Sequence, residues 1–204
     1  MKTRILGLLA VGLLAGPMTA TAAFYSDEAT FTSTYSGLTL LDFEGICSGG
    51  TCAVPSFAGL AISGLSPVIA DGPTYGAPSD WLADNNYGGF LDLSFSPAID
   101  AVGFRVSSGF GGGRAVVNLY DGMDLLDSQT VTTTALSSFS TFVGWGDLGS
   151  ISNLRMSVTS EGNFANIDDL RFGTAAAAVP EPGTLALLGF GLAVLGFMRR
   201  RKAH

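Results

Sequence analysis

The sequence predicts an all-β body, a jelly-roll-like antiparallel β-sandwich, carried between two apolar ends. Three observations predict it. Seven short segments alternate apolar and polar residues with period two and are enriched in β-branched and aromatic side chains. They are Leu38 to Glu44, Phe90 to Ser96, Ala101 to Val106, Ala115 to Tyr120, Phe139 to Val143, Leu154 to Val158 and Ile167 to Phe172. Gly, Ser, Asp and Asn separate them at intervals of about 8–15 residues, and no stripe of helical period interrupts the body, which together read as a sandwich or jelly roll.

The N-terminal end is a predicted signal peptide, residues 1–22. Met1-Lys2-Thr3-Arg4 is its basic start, Ile5 to Ala15 its apolar core, Gly16-Pro17 its break and Ala20-Thr21-Ala22 the small-x-small pattern read by signal peptidase. Cleavage after Ala22 or Ala23 starts the mature chain near Phe24. A permanent N-terminal anchor is the alternative, but an apolar core of about 11 residues is too short for a span of about 20. No cysteine follows the core, so lipoprotein acylation is excluded.

The body, 23–174, is one domain with enough chain to bury a core. The whole-chain mean hydropathy of +0.40 comes partly from the two ends. Of the ten basic residues, six lie in those ends, leaving Arg105, Arg114, Arg155 and Arg171 against sixteen carboxylates, because only Glu181 of the seventeen falls outside. A body charge of about −12, with no Lys, is repelled by nucleic acid and by anionic lipid and suits hard cations such as calcium. His204 is the only histidine and lies in the tail. Serine-histidine and cysteine-histidine catalysis, and His-ligated zinc or iron, are therefore ruled out for the body.

Cys47 and Cys52 are the only cysteines. Two thiolates cannot complete a four-thiolate metal site, and in an exported chain the pair is expected as a disulfide clamping the Ser48-Gly49-Gly50-Thr51 loop. Between the alternating segments, Asp121-Gly122 signals a tight hairpin that Met123-Asp124 would lengthen. Gly109 to Gly113 lacks the Lys-Ser/Thr ending of a phosphate loop and reads as a flexible hairpin connection. Ser66 to Gly89 reads as the longest connection, with Pro67, Pro73 and Pro78. Long connections are often functional. Trp81 with Asp84, Asn85 and Asn86 is the expected glycan site there, the indole stacking on a sugar face while amides and carboxylate bind hydroxyls. The plainer reading is that Trp81 and Tyr87 cap the core while the asparagines make turns. Trp145, inside an alternating segment, is expected in the core or at its rim.

The C-terminal tail, 175–204, opens with Val179-Pro180-Glu181-Pro182, continues as the apolar segment Gly183 to Met198 and ends in Arg199-Arg200-Arg201-Lys202. Prolines on both sides of Glu181 hold that site extended. About 16 apolar residues reach roughly 24 Å as a short transmembrane helix, and the basic stop holds the terminus in the cytoplasm. These three features in this order resemble the PEP-CTERM sorting domain of Gram-negative bacteria that make exopolysaccharide. The resemblance implies recognition of Val179, Pro180, Glu181 and Pro182 by exosortase, a membrane transpeptidase-like cysteine enzyme, with Arg199, Arg200 and Arg201 as the stop. It also implies transient anchoring in the inner membrane, then delivery to the cell surface, outer membrane or biofilm matrix. A permanent single-span anchor is the alternative.

The body resembles galactose-binding-like jelly rolls through Leu41 to Gly45, Phe95 to Phe104, Val117 to Gly122, Phe142 to Trp145 and Ile167 to Phe172. That resemblance implies a structural calcium held by Glu44 and Asp168, with Asp42 and backbone carbonyls. Three function classes follow: a non-enzymatic, lectin-like surface protein contacting exopolysaccharide, a purely structural or adhesive matrix protein, and a glycosidase. The last needs two carboxylates facing across a cleft. Sixteen acids single out no such pair, so no enzyme is expected.

Overall fold

The computed structural model describes residues 23–159 and 163–174. The expected signal peptide, sorting motif, transmembrane segment and basic stop lie outside them. Among the described residues, no helix is long and apolar enough to cross a membrane.

Among the described residues, thirteen strands and two short helices follow one another. They are β1 (Ala23–Tyr25), α1 (Glu28–Thr34), β2 (Thr39–Leu41), β3 (Thr51–Ala53), β4 (Leu60–Gly64), β5 (Pro67–Ala70), α2 (Gly72–Tyr75) and β6 (Trp81–Asp84). The second half is β7 (Phe90–Ile99), β8 (Ala101–Ser107), β9 (Gly113–Asp121), β10 (Asp124–Thr133), β11 (Thr141–Gly146), β12 (Ile151–Val158) and β13 (Asn166–Gly173). All pairings between these strands are antiparallel. A five-stranded sheet runs β10-β9-β12-β7-β4. The larger sheet runs β1-β11-β8-β13-β6-β5-β3, with β2 added to β13. The expected two-layer β-sandwich is the observed architecture.

Alternation explains the main core. Leu91, Leu93 and Phe95 of β7 and Leu154 and Met156 of β12 point inward from the small sheet. Phe104 of β8, Ile167 of β13 and Trp145 of β11 meet them from the large one. Trp145 is buried, as expected, and its indole Nε1 donates to Asp127 Oδ2 of β10 at 2.7 Å. Burial of this many apolar side chains, each contributing about 1.5–3 kcal/mol, is what drives the two sheets together.

Two further clusters cover the outer face of the large sheet. In one, α1 lays Phe31 and Tyr35 on Ala101 and Phe142. Glycines make that approach possible: a Cβ at Gly103 or Gly144 would sit 2.7 Å from the Phe31 ring. Asp27 caps α1, accepting from Thr30 N at 2.7 Å. Glu28 in its first turn pairs with Arg105 at 2.6 Å and Arg171 at 2.8 Å, and Arg105 also meets Asp169 at 3.0 Å. The α1 segment carries little period-3.6 patterning because one large ring and one ion network, not an apolar stripe, dock it.

The other cluster joins Trp81 and Ala83 of β6 to Ala70, Ala77, Leu136 and Phe139. With Leu82 in the main core, β6 is buried on both faces, so it shows no alternation in sequence. The stretch from Ser66 to Gly89 is therefore not an irregular loop but β5, α2 and β6. The Gly109 to Gly113 run is not a hairpin either, since it carries the chain from β8 in the large sheet to β9 in the small one. At the β9–β10 turn, Asp121 pairs with Asp124, so the loop is only Gly122-Met123 and is not lengthened. Gly122 has φ +60°, as the first position of a II′ turn requires.

Candidate functional site

The outer cluster on β6 does not close. Above it lies a pocket of about 200 Å³ whose floor is Trp81 and Ala83 of β6, Asn166 of β13, and Val68 and Ala70 of β5. Tyr75 of α2 and Thr51 of β3 stand on one side. Phe110, Phe164 and Leu136, from three different loops, stand on the other, and Asn85 sits at the rim. Among the described residues, none that lines it is charged. Tyr75 meets Trp81 edge to face, ring centroids 5.9 Å apart, and Phe164 packs on Tyr87 at 4.7 Å and on Phe110 at 6.4 Å. Phe110 and Tyr87 are 62% and 70% exposed, so this aromatic rim presents apolar faces to solvent.

The polar groups are few and oriented. Trp81 Nε1 donates to Asn166 Oδ1 at 3.1 Å, both residues being buried. With that oxygen committed, the Asn166 amide nitrogen is the group left to donate to an occupant. Asn85 is held by its backbone, its N–H donating to Ser66 O at 2.9 Å, and its side chain is exposed.

Of the four residues expected to bind a glycan, Trp81 and Asn85 line this pocket; Asp84 and Asn86 do not. Trp81 is 3% exposed, so it forms a wall instead of a free-standing platform. Asp84 is fully buried. Its Oδ2 accepts from Leu65 N at 2.7 Å and its Oδ1 from Asn86 N at 3.0 Å, which ties the β4–β5 turn to the β6–β7 turn. Gly64 and Gly89 leave the room this carboxylate needs, since a Cβ at either would lie 2.6 Å from one of its oxygens. Asp84 is thus an anchor for loops, a role that an acid in an Asp-Asn-Asn run does not advertise. Tyr75, Phe110, Phe164 and Asn166 were not expected as site residues. The only sequence signal among them is Phe110, a large aromatic inside a glycine run.

The wall that carries Tyr75 is wired to the sheet through acids. Asp71 caps α2 by accepting from Thr74 N at 3.1 Å, and its own N–H donates to Gly50 O at 2.9 Å inside the cystine loop. Cys47 and Cys52 form the expected disulfide, Cα atoms 5.5 Å apart, and so brace this edge of the pocket at Thr51. Asp80 Oδ1 accepts from Gly72 N at 2.8 Å, and Asp80 N donates to Glu44 Oε1 at 3.1 Å. Ser79 Oγ donates to Asp168 Oδ2.

Glu44 and Asp168, expected as calcium ligands, are held by adjacent residues, Asp80 N donating to Glu44 and Ser79 Oγ to Asp168. A bulge in β13 between Asp168 and Arg171 takes Asp169 out of register with β8, while Asp168 stays paired with Arg105. Asp169 and Phe43, each next to one of the pair, have φ of +50° and +59°. For Phe43 that costs on the order of 1 kcal/mol or more. Burial pushes Asp168 up to about 7, with the Asp169 and Glu44 charges adding to the rise. Burial also raises Glu44, and Asp80, Asp42 and Asp169 add to it. Asp42 Oδ1 accepts from Glu44 N at 3.3 Å and so lies on the same turn. Among the described residues, no three acidic, cysteine or histidine side chains converge on a metal position. Of the expected ligands, Asp168 is buried and Glu44 is exposed, so the two acids meet at the surface end of the bulge.

Comparison with known proteins identifies the tail. Residues 178–202 match the family model described as the PEP-CTERM protein-sorting motif. The chain carries a PEP-CTERM sorting tail. A PEP-CTERM tail implies export, membrane-associated sorting and processing by exosortase. No curated protein matches the chain. Among solved structures, the body is similar to the family 32 carbohydrate-binding module of C. perfringens NanJ in complex with galactose. Identity there is 12%, coverage 56% of this chain and 93% of that one, and TM-score 0.37. It is also similar to TmCBM61 in complex with β-1,4-galactotriose, at 14% identity, 57% and 88% coverage and TM-score 0.32. A third is CBM35 from Paenibacillus barcinonensis, at 16% identity, 74% and 97% coverage and TM-score 0.31.

Proposed function

We propose that this is a non-enzymatic, exported protein of a Gram-negative cell surface or biofilm matrix. It is delivered by its PEP-CTERM tail and holds single neutral sugar units of an exopolysaccharide in the aromatic pocket. The observation that carries this reading is the pocket's composition. Aromatic faces from Tyr75, Trp81, Phe110 and Phe164 surround a space of about 200 Å³ that has amide groups and, among the described residues, no charge. Flat apolar walls suit the C–H face of a pyranose, and Asn166 and Asn85 supply hydrogen bonds for its hydroxyls. The volume is below the usual range for drug-sized ligands, which favours one ring over a chain threaded through.

Among the described residues no carboxylate lines the pocket, and glycoside cleavage takes two carboxyl groups facing the bond, which favours binding without hydrolysis. The pair Glu44 and Asp168 would hold calcium below the Tyr75 wall, where the ion would neutralise two acids and stiffen that wall.

The test is titration of the full chain, in mild detergent, with a panel of neutral monosaccharides while following tryptophan fluorescence. Saturable quenching or enhancement by at least one sugar is expected. It should be weakened about tenfold or more by Phe164→Ala and Asn166→Ala, since about 1.4 kcal/mol is tenfold. No response to any sugar sinks the pocket reading and leaves a structural or adhesive matrix protein in its place.

A further inference from the structure

The outer face of the five-stranded sheet holds a second depression, on the opposite layer from the pocket and larger, at about 440 Å³. It is lined by Ser63 of β4, Asp92 and Ser94 of β7, Asn153 and Arg155 of β12 and Tyr120 of β9; Gly122 and Met123 of the β9–β10 turn close one end. Register makes it a trough running across the strands. Ser63 stands opposite Asp92, and Asp92 opposite Arg155. In the adjoining row Ser94 stands opposite Asn153, and Asn153 opposite Tyr120. Four strands at about 4.8 Å spacing give it a length of roughly 14 Å.

An outward sheet face has only to be polar, but this one is also fixed. The Arg155 guanidinium donates to both oxygens of Asp92, at 2.6 and 2.5 Å, and lies 4.6 Å over the Phe90 ring. Asn153 Nδ2 donates to Ser94 Oγ at 2.7 Å, and Ser152 Oγ donates to Asn153 Oδ1 at 3.1 Å. Side chains already held in place lose little freedom when a ligand arrives. Their chemistry selects the ligand. The one Asp and the one Arg neutralise each other, so the trough attracts neither sign of charge, and the acidic body repels anionic polymers. A peptide strand would need apolar pockets for alternate side chains, and the lining offers hydroxyls, an amide and one tyrosine face.

We propose that this trough is a second contact surface, taking an extended, uncharged polysaccharide chain of about three sugar units laid across β4, β7, β12 and β9. It differs from the pocket in the form of its ligand, the interior of a chain instead of a single ring, and it rests on independent residues.

Native gels of the full chain in mild detergent test it, cast with dextran, mixed-linkage β-glucan, galactan, galactomannan or, as the charged polymer, alginate. At least one neutral polymer is expected to retard the protein. Asn153→Ala and Tyr120→Ala should weaken that retardation about tenfold, and alginate should have no effect. Ser63→Trp, an exposed edge-strand position, should fill the trough without touching the core and act likewise. Phe164→Ala should leave intact the part of the retardation that Asn153→Ala removes. Retardation by none of the four neutral polymers overturns the proposal. So does retardation that Asn153→Ala and Ser63→Trp leave intact, that Phe164→Ala alone abolishes, or that only alginate produces. A protein retarded by polymer yet blind to monosaccharides fails the pocket reading and leaves the trough standing.

Discussion

The indole N–H of Trp81 donates to the amide oxygen of Asn166 at 3.1 Å, joining neighbouring strands β6 and β13 at the floor of the pocket. One side chain thus fixes both the wall and the direction of the amide. Asn166→Leu should strand a buried indole donor and cost about 1–3 kcal/mol, read from urea unfolding of the full chain in detergent. An unchanged midpoint would mean that the bond contributes nothing to stability.

A second prediction concerns the seat of α1. In Gly144→Ala the new Cβ would stand 2.7 Å from Phe31 and 3.1 Å from Phe142. Rings on both sides leave no room to yield, so overpacking should cost about 1–3 kcal/mol. Gly149→Ser, at a site with nothing within 4 Å but with φ +87°, should be strained only by its backbone and lose about 1 kcal/mol.

Removing one ionic partner under α1 should matter as much as removing packing. Glu28 faces both Arg105 and Arg171, so Glu28→Ala leaves two guanidiniums competing for Asp169 and its carbonyl. Arg171, with its side chain 17% exposed, is the more enclosed of the two and should dominate the loss. About 1–2 kcal/mol is expected after allowance for solvent screening of Arg105. Raising salt to 1 M should remove only part of it.

The sign of the pH dependence follows from Asp168. Its folded value, about 7, lies above the ordinary 3.8, so the folded state binds the proton more tightly between those limits. Stability should therefore be full near pH 4, fall as pH rises towards 7, and level off above, by an amount on the order of a few kcal/mol. Asp168→Asn should flatten the curve. In wild type, millimolar calcium should flatten it too, with EDTA restoring the fall. Urea midpoints across this range that do not respond to calcium would rule out a cation between Glu44 and Asp168.

The sandwich was legible because period-two alternation is a direct record of one face buried and one face wet. β7, β9, β12 and β13 show it, and the alternating segments Phe90 to Ser96 and Ile167 to Phe172 lie inside observed strands. β6 was illegible for the same reason in reverse: Trp81-Leu82-Ala83-Asp84 is buried on both faces, so its pattern is uniform. Trp81, expected to stack on a glycan, lines the pocket as a buried wall, but Asp84 beside it was read by chemistry when its neighbours Gly64 and Gly89 decide its role.

What the sequence determined alone is the address and the bulk chemistry. The proline-bracketed tail, the acidic body without Lys and the cysteine pair are local or summed properties, and none depends on how distant segments meet. The tertiary structure decided the sites. Tyr75, Phe110, Phe164 and Asn166 are separated by up to 91 positions yet line one pocket. Ser63, Asp92, Tyr120 and Arg155 become one trough only through strand order and register. Convergence of that kind is set by pairing across the sheet, for which a single strand carries no label beyond its alternation.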